Sequence, residues 1–243
     1  MNLHVELVLL VVLEYNMDNK CLYEFGCNKK DCNEDFCERQ FRLSVLYKNS
    51  LIPEAQQKHI TLDIEESNKI DLAAFQQLAG IARDIDSFIK NGHNLFIYSH
   101  TCGNGKTSWA IKLLEAYFYK VWAKVDLSCH ALFVNVPRFL LALKANISTP
   151  NEYAQAILDN ATKADVVVWD DLAFKIGTEF ELNHLLSIID ARISAGKCNI
   201  YTSNVAPNEL TISMGDRLAS RVANLSLPIH FLGKDMRSID IKV

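Results

Sequence analysis

The chain has 243 residues, 49% of them apolar, which is enough for one α/β domain with a large core and a smaller appendage. Its net charge of −4 with histidine neutral excludes a protein that grips duplex DNA through its whole surface, since such a protein would be basic. Any nucleic-acid contact is therefore local.

Met1 to Asn16 contains a continuous apolar run from Leu7 to Leu13, too short to span a bilayer. Glu6 and Glu14 flank it, and no Lys or Arg precedes Lys20, so it lacks the basic region of a secretory signal. It reads as a dispensable extension ahead of a start at Met17, or else as an edge strand or helix packed on the core. No later stretch has the length of a membrane span, and a cytoplasmic protein is expected. Cys21, Cys27, Cys32 and Cys37 then fall among polar neighbours with spacing C-x5-C-x4-C-x4-C. Too few apolar residues lie between Lys20 and Arg39 to build a core, the usual setting for a structural metal, in which four thiolates around Zn²⁺ replace hydrophobic burial. Free thiols, an iron–sulfur cluster and disulfides are the other readings of this loose spacing. Cys102, Cys129 and Cys198 lie in or beside apolar runs and read as small buried hydrophobes.

An amphipathic pattern (Phe41, Leu43, Val45, Leu46, Leu51) predicts a helix that Pro53 ends. Residues 54–70 are polar, and 61–70 serve as a linker. From Asp71, apolar positions at helical spacing through Ile89 predict a helix closed by Asn91-Gly92. The apolar run Leu95-Phe96-Ile97-Tyr98 predicts a strand leading into a small-residue loop that ends Gly-Lys-Thr at the head of an apolar-periodic helix. That is the pattern of a phosphate-binding loop. Gly103 and Gly105 let backbone N–H groups curl around an anion, and the helix N-terminus adds donors and the positive end of a dipole. Thr101, Cys102, Gly103, Asn104, Gly105, Lys106, Thr107 and Ser108 form the candidate cofactor-binding loop, with Lys106 toward the β/γ-phosphates and the Thr107 hydroxyl on Mg²⁺. His100 stands where the pattern wants its first glycine.

Beyond the loop, a helix to about Trp122, a strand at 131–136, a short helix opened by Pro137, a helix at 151–162, a strand ending Trp169-Asp170-Asp171, a long helix at 179–195 and a strand at 199–202 follow in turn. Short apolar strands alternating with helices predict a parallel sheet covered on both faces. The apolar run ending in two carboxylates is a Walker B element. Asp170 is placed to hold the Mg²⁺ ligated by Thr107, and Asp171 to orient or deprotonate the attacking water. Asn204 ends the next strand at the same edge, as a water-positioning amide or as a cap or turn residue. Arg217 and Arg221 share one helix face as an arginine-finger pair or as surface salt-bridge partners. Arg237 could sense nucleotide in its own subunit.

Four motifs taken together, Cys-Gly-Asn-Gly-Lys-Thr-Ser-Trp (102–109), Val-Val-Trp-Asp-Asp-Leu (167–172), Tyr-Thr-Ser-Asn (201–204) and Gly-Asp-Arg-Leu-Ala-Ser-Arg (215–221), resemble those of the DnaC/DnaI-type replicative helicase loaders, a branch of the AAA+ ATPases. The resemblance implies an AAA+ α/β domain with a parallel five-stranded sheet over residues 71–243, behind a Cys-rich module at 17–60 that grips a hexameric replicative helicase. It implies ATP and Mg²⁺ as cofactors, with Zn²⁺ in the module, and ATP hydrolysis stimulated by single-stranded DNA. It further implies that Asn204 is sensor 1, that Arg221 is the finger, without a counter-charge in its own subunit, and that Arg237 is sensor 2. Subunits would meet on the helicase, and the helix carrying Arg138, Phe139 and Lys144 would line a single-stranded-DNA groove, with Phe139 stacking on a base or, equally, packing as in an ordinary helix. A transposition-helper ATPase, and a zinc adaptor that uses nucleotide only as a switch, are the competing readings.

Overall fold

A computed structural model of the protein describes residues 37–57, 66–173 and 178–235. Five parallel strands form one sheet: β1 (Asn94–Tyr98), β2 (Ala131–Asn135), β3 (Val166–Asp170), β4 (Cys198–Ser203) and β5 (Ser226–His230), in the order β2-β3-β4-β1-β5. β3 is buried along its whole length, which is why it reads as an unbroken apolar run rather than an alternating one. β5 lies at an edge, so Pro228 within it removes no ladder donor that a further strand would need.

Helices cover both faces. On one side α1 (Glu38–Asn49), α2 (Leu72–Arg83), α3 (Ile85–Lys90) and α4 (Lys106–Val121) share a core with Leu95, Ile97, Val166, Val168 and Ile200. On the other, α5 (Val136–Ala145), α6 (Glu152–Asn160), α7 (Glu179–Ser194) and α8 (Leu210–Asn224) pack on Phe96, Val167, Trp169 and Tyr201. Side-chain caps fix three of the helix starts. Asn135 accepts from the Arg138 N–H, Asn151 from the Ala154 N–H and Thr178 from the Glu181 N–H. The single helix expected from Asp71 to Ile89 is two, because the backbone turns out of helical geometry at Asp84 (φ −118°, ψ 37°). α8 is likewise broken at Gly215 (φ 73°, ψ 161°).

The helix predicted from Phe41, Leu43 and Leu46 is α1, and it seats on the sheet layer. Leu43, Leu46, Tyr47 and Ile52 are buried in the α4-side core, with the Tyr47 and Phe118 rings 4.9 Å apart. Hydrogen bonds tie it down as well: the Phe133 N–H donates to the Ser50 carbonyl at 2.7 Å, and the Arg42 side-chain Nε donates to the Trp122 carbonyl at 2.7 Å.

A buried polar staple closes the end of the sheet opposite the strand C-termini. Arg192, with no exposed surface, donates to the carbonyls of Ala161, Ala164 and Cys198 and to Asn199 Oδ1. Asn199 in turn donates to Asn94 Oδ1 at 3.0 Å, joining β4 to β1. Beside it Gly92 must lack a side chain, since a Cβ there would lie 2.4 Å from the Gly196 carbonyl oxygen. Among the described residues no helix is long and apolar enough to cross a membrane.

Candidate functional site

The loop at 99–105 runs from the C-terminal end of β1 to the first turn of α4. Gly103 (φ 73°) and Gly105 (φ 96°) both take the left-handed conformation that turns the chain back toward the helix. Ser99 pins the loop from beneath, its hydroxyl accepting from the Thr101 N–H at 3.1 Å and from Asn104 Nδ2 at 2.8 Å. Lys106 is buried, and its ammonium donates to the Thr101 carbonyl at 2.8 Å and Asn104 Oδ1 at 3.2 Å. The cation is thus held inside the loop that would receive an anion. His100 does not take a positive φ, and its ring faces outward, 3.8 Å from Glu209. Glycine is therefore not required there. Cys102, expected to be buried, is exposed because it lies on the outside of the turn.

Across the C-terminal edge of the sheet, alternation puts every second side chain on the α4 face. Asn135, Asp170 and Thr202 fall in one row on that face, continuing Phe133, Val168 and Ile200. Their polar groups converge. Asp170 Oδ1 accepts from the Thr107 hydroxyl at 2.7 Å and the Thr202 hydroxyl at 2.8 Å, and Asp170 Oδ2 from Asn135 Nδ2 at 3.3 Å. Asp171 follows in the left-handed region (φ 54°), which Asp tolerates better than most side chains. Its N–H donates to Thr202 Oγ1 at 3.0 Å, and Asn204 Nδ2 lies 3.4 Å from Asp171 Oδ1. The hydroxyl of Thr107 and the carboxylate of Asp170 supply hard oxygen donors side by side at a helix N-terminus, a set that fits Mg²⁺.

A strap after β5 crosses the loop. The Phe231 N–H donates to the Tyr98 carbonyl, and buried Asp71 accepts from the N–H groups of Leu232 at 2.6 Å and Gly233 at 2.9 Å. The carboxylate of Asp235 then rests on Gly103, where a Cβ would stand 1.7 Å from Asp235 Oδ1. Gly103 is thus doubly constrained, by its φ and by this approach.

No family model matches the sequence, and comparison with curated proteins finds no match. Solved structures do match. DnaI superposes with TM-score 0.59 at 17% identity, over 77% of this chain and 95% of that one. A DnaC helicase loader gives 0.56 at 18%, over 68% and 91%. The replication initiator DnaA bound to AMPPCP and single-stranded DNA gives 0.53 at 19%, over 70% and 48%. The chain has the fold of the DnaC/DnaI helicase loaders.

Within this loader fold the remaining predicted residues separate. Phe139 has no exposed surface and packs in the core with Leu140 and Leu143, so of its two readings the packed one holds and the base-stacking one is withdrawn: its ring presents no face to solvent. Arg138 lies 4.2 Å over the Tyr153 ring, and Lys144 pairs with Glu181 at 2.9 Å. Arg221 was expected to lack a counter-charge in its own subunit. It has one, because α7 packs beside α8 and presents Asp190, whose Oδ1 lies 2.8 Å from Arg221 Nε and whose Oδ2 lies 3.7 Å from Arg217. Cys37, half-buried, is the N-cap residue of α1, while Cys21, Cys27, Cys32 and Arg237 lie outside the described residues. Among the described residues no group of three or more His, Cys, Asp or Glu is placed to hold a metal. Sequence reasoning missed Thr202, Asn135, Ser99 and Asp71. For the first two the signal was present, as polar residues at the strand C-termini in phase with Asp170.

Proposed function

We propose that the chain is an ATP-dependent loader that binds a replicative DNA helicase and helps place it on single-stranded DNA. The observation that carries the reading is the convergence on Asp170 of hydroxyls from Thr107 and Thr202, beside a phosphate-binding loop, in a loader fold. Backbone N–H groups of 103–108 would surround the phosphates, and the Lys106 ammonium would exchange its loop contacts for β/γ-oxygens. Thr107 and Asp170 would hold Mg²⁺, which when bound neutralises charge on the phosphates. Asp171 would orient the attacking water, with Asn204, just past β4, fixing the Asp171 carboxylate. Arg221, on leaving Asp190, would serve as a finger toward a neighbouring protomer's nucleotide, and Arg237 would act in its own subunit. The Cys-rich module at 17–60 would grip the helicase and bind Zn²⁺ through Cys21, Cys27, Cys32 and Cys37. Arg138 and Lys144, both exposed, would meet DNA phosphates.

The test is a pull-down of a replicative helicase with the full chain, alongside ATP turnover measured with and without single-stranded DNA. Helicase capture and DNA-stimulated turnover, with both nucleotide binding and turnover absent in Lys106→Ala, are expected. Capture of a transposase in place of helicase would favour a transposition helper, and helicase capture with negligible turnover an adaptor that uses nucleotide as a switch.

A further inference from the structure

We infer that Thr202 is the positioning residue that sets both Walker carboxylates at once, an inference that rests on the hydrolysis reading above. Thr202 is buried on β4, two residues before Asn204 and within the Tyr-Thr-Ser-Asn motif, where sequence gives the chemical role to Asn204 alone. Its hydroxyl carries a single proton, which is directed at Asp170 Oδ1, 2.8 Å away. An oxygen lone pair is thereby left to accept the N–H of Asp171 at 3.0 Å. The Thr202 carbonyl accepts the next N–H, that of Leu172, at 2.9 Å. One residue of β4 therefore receives the first two backbone donors after β3 and anchors the carboxylate just before them.

The turn needs such an anchor. Asp171 lies at φ 54°, a left-handed conformation that Asp takes more readily than most L-residues but that still favours an anchored backbone. A plain β3–β4 ladder would not hold that geometry, because the turn leaves the strand at Asp171. The hydroxyl makes the bond that a strand partner would otherwise make. It also links two functions that a reaction must keep in register. Asp170 Oδ1 is shared by Thr107 and Thr202, so the orientation of the proposed metal ligand is fixed from α4 and β4 together. The proposed water-orienting carboxylate on Asp171 is then displaced from Asp170 by one peptide whose N–H is fixed by the same oxygen. Outer hydrogen bonds of this kind commonly govern metal affinity by 10- to 100-fold.

Thr202→Val keeps the shape and the β-branch while removing both hydroxyl bonds. Thr202→Ser keeps the hydroxyl. Expected for Thr202→Val are a chain that still folds but melts a few degrees lower, because the Asp171 N–H loses its acceptor, Mg-ATP affinity at saturating Mg²⁺ within about threefold, and turnover at least about tenfold lower. The Mg²⁺ concentration giving half-maximal nucleotide affinity should also rise about tenfold or more. Thr202→Ser should restore both readouts to within about threefold, a rescue that a packing role for the γ-methyl would not produce. If valine prevents folding, Thr202→Ala against Thr202→Ser gives the same comparison. Parental turnover and parental Mg²⁺ dependence in a folded Thr202→Val chain would overturn the inference, as would a Thr202→Ser chain as impaired as the valine one. If the parent itself turns over no ATP, the hydrolysis reading fails, and the Mg²⁺ titration still decides the role of Thr202.

Discussion

Substitution at Asp190 and Arg221 separates a surface ion pair from a group that acts across subunits. Arg221 Nε lies 2.8 Å from Asp190, with the two side chains 48% and 23% exposed. A pair half exposed on the arginine side, in which Asp190 Oδ1 receives no hydrogen bond among the described residues, is worth about 0.5–1 kcal/mol. Arg221→Ala should therefore cost no more than about 1 kcal/mol of stability in urea unfolding and leave ATP binding by the isolated chain unchanged. Its effect on DNA-stimulated turnover should be far larger, on the order of a hundredfold or more, because a finger acts on transition-state charge. Asp190→Asn works in the opposite direction. If Arg221 must leave Asp190 to reach a neighbour, releasing it should raise stimulated turnover by about two- to fivefold, the same ion-pair energy expressed as a rate. Mixing Arg221→Ala with Lys106→Ala chains should recover part of the activity, since one mutant offers a sound pocket and the other a sound finger. Undiminished stimulated turnover in Arg221→Ala, or no recovery in a mixture shown to co-assemble, would refute the assignment.

Asp171→Asn should bind Mg-ATP like the parent yet hydrolyse it at least about tenfold more slowly, as measured by phosphate release; asparagine tolerates the φ of 54° at this site, so the fold should not suffer. Arg192→Met should cost about 3–5 kcal/mol in urea unfolding, because it strands the buried carbonyls of Ala161, Ala164 and Cys198; burial lowers the guanidinium pKa to about 10, so it remains charged at neutral pH. Metal analysis of the purified chain should give close to one zinc per protomer. Removing residues 1–36 should abolish both the zinc and helicase capture while sparing ATP binding, because α1 and its buried Leu43, Leu46 and Tyr47 are retained.

What could be read from the sequence was local in space as well as in sequence. The strand, the glycine-bearing loop and the head of α4 are contiguous, so Lys106 and Thr107 announce themselves, and the apolar run before Asp170 announces a buried strand. β5 went unlocated because its edge position admits a proline and leaves Leu227 half exposed, so it shows neither an apolar run nor clean alternation. Thr202 and Asn135 stayed hidden for a different reason. Their role depends on which strand lies beside which and in what register, and the pairing of Asn135 with Asp170 joins residues that no local pattern connects. Phe139 admitted two readings because an exposed and a buried aromatic look alike on a short amphipathic helix. The pairing of Arg221 with Asp190 needed the packing of α8 on α7, which periodicity alone does not supply.

The strand order also governs how the molecule comes into being on the ribosome. β1, which launches the phosphate-binding loop, is among the first strands to be made, yet its two neighbours are β4 and β5. Asn94 at its start bonds to Asn199 and to the carbonyl of Leu225, 105 and 131 residues downstream. While β2 and β3 can pair as they emerge, the loop-bearing strand must wait without its strand neighbours until most of the fold has been synthesised. At about 5–20 residues per second that interval is several seconds or more. Contacts of such long sequence separation also fold slowly once available. The proposed phosphate-binding loop therefore gains its neighbouring strands late, and an incomplete chain lacks the finished edge of the sheet on which that loop sits.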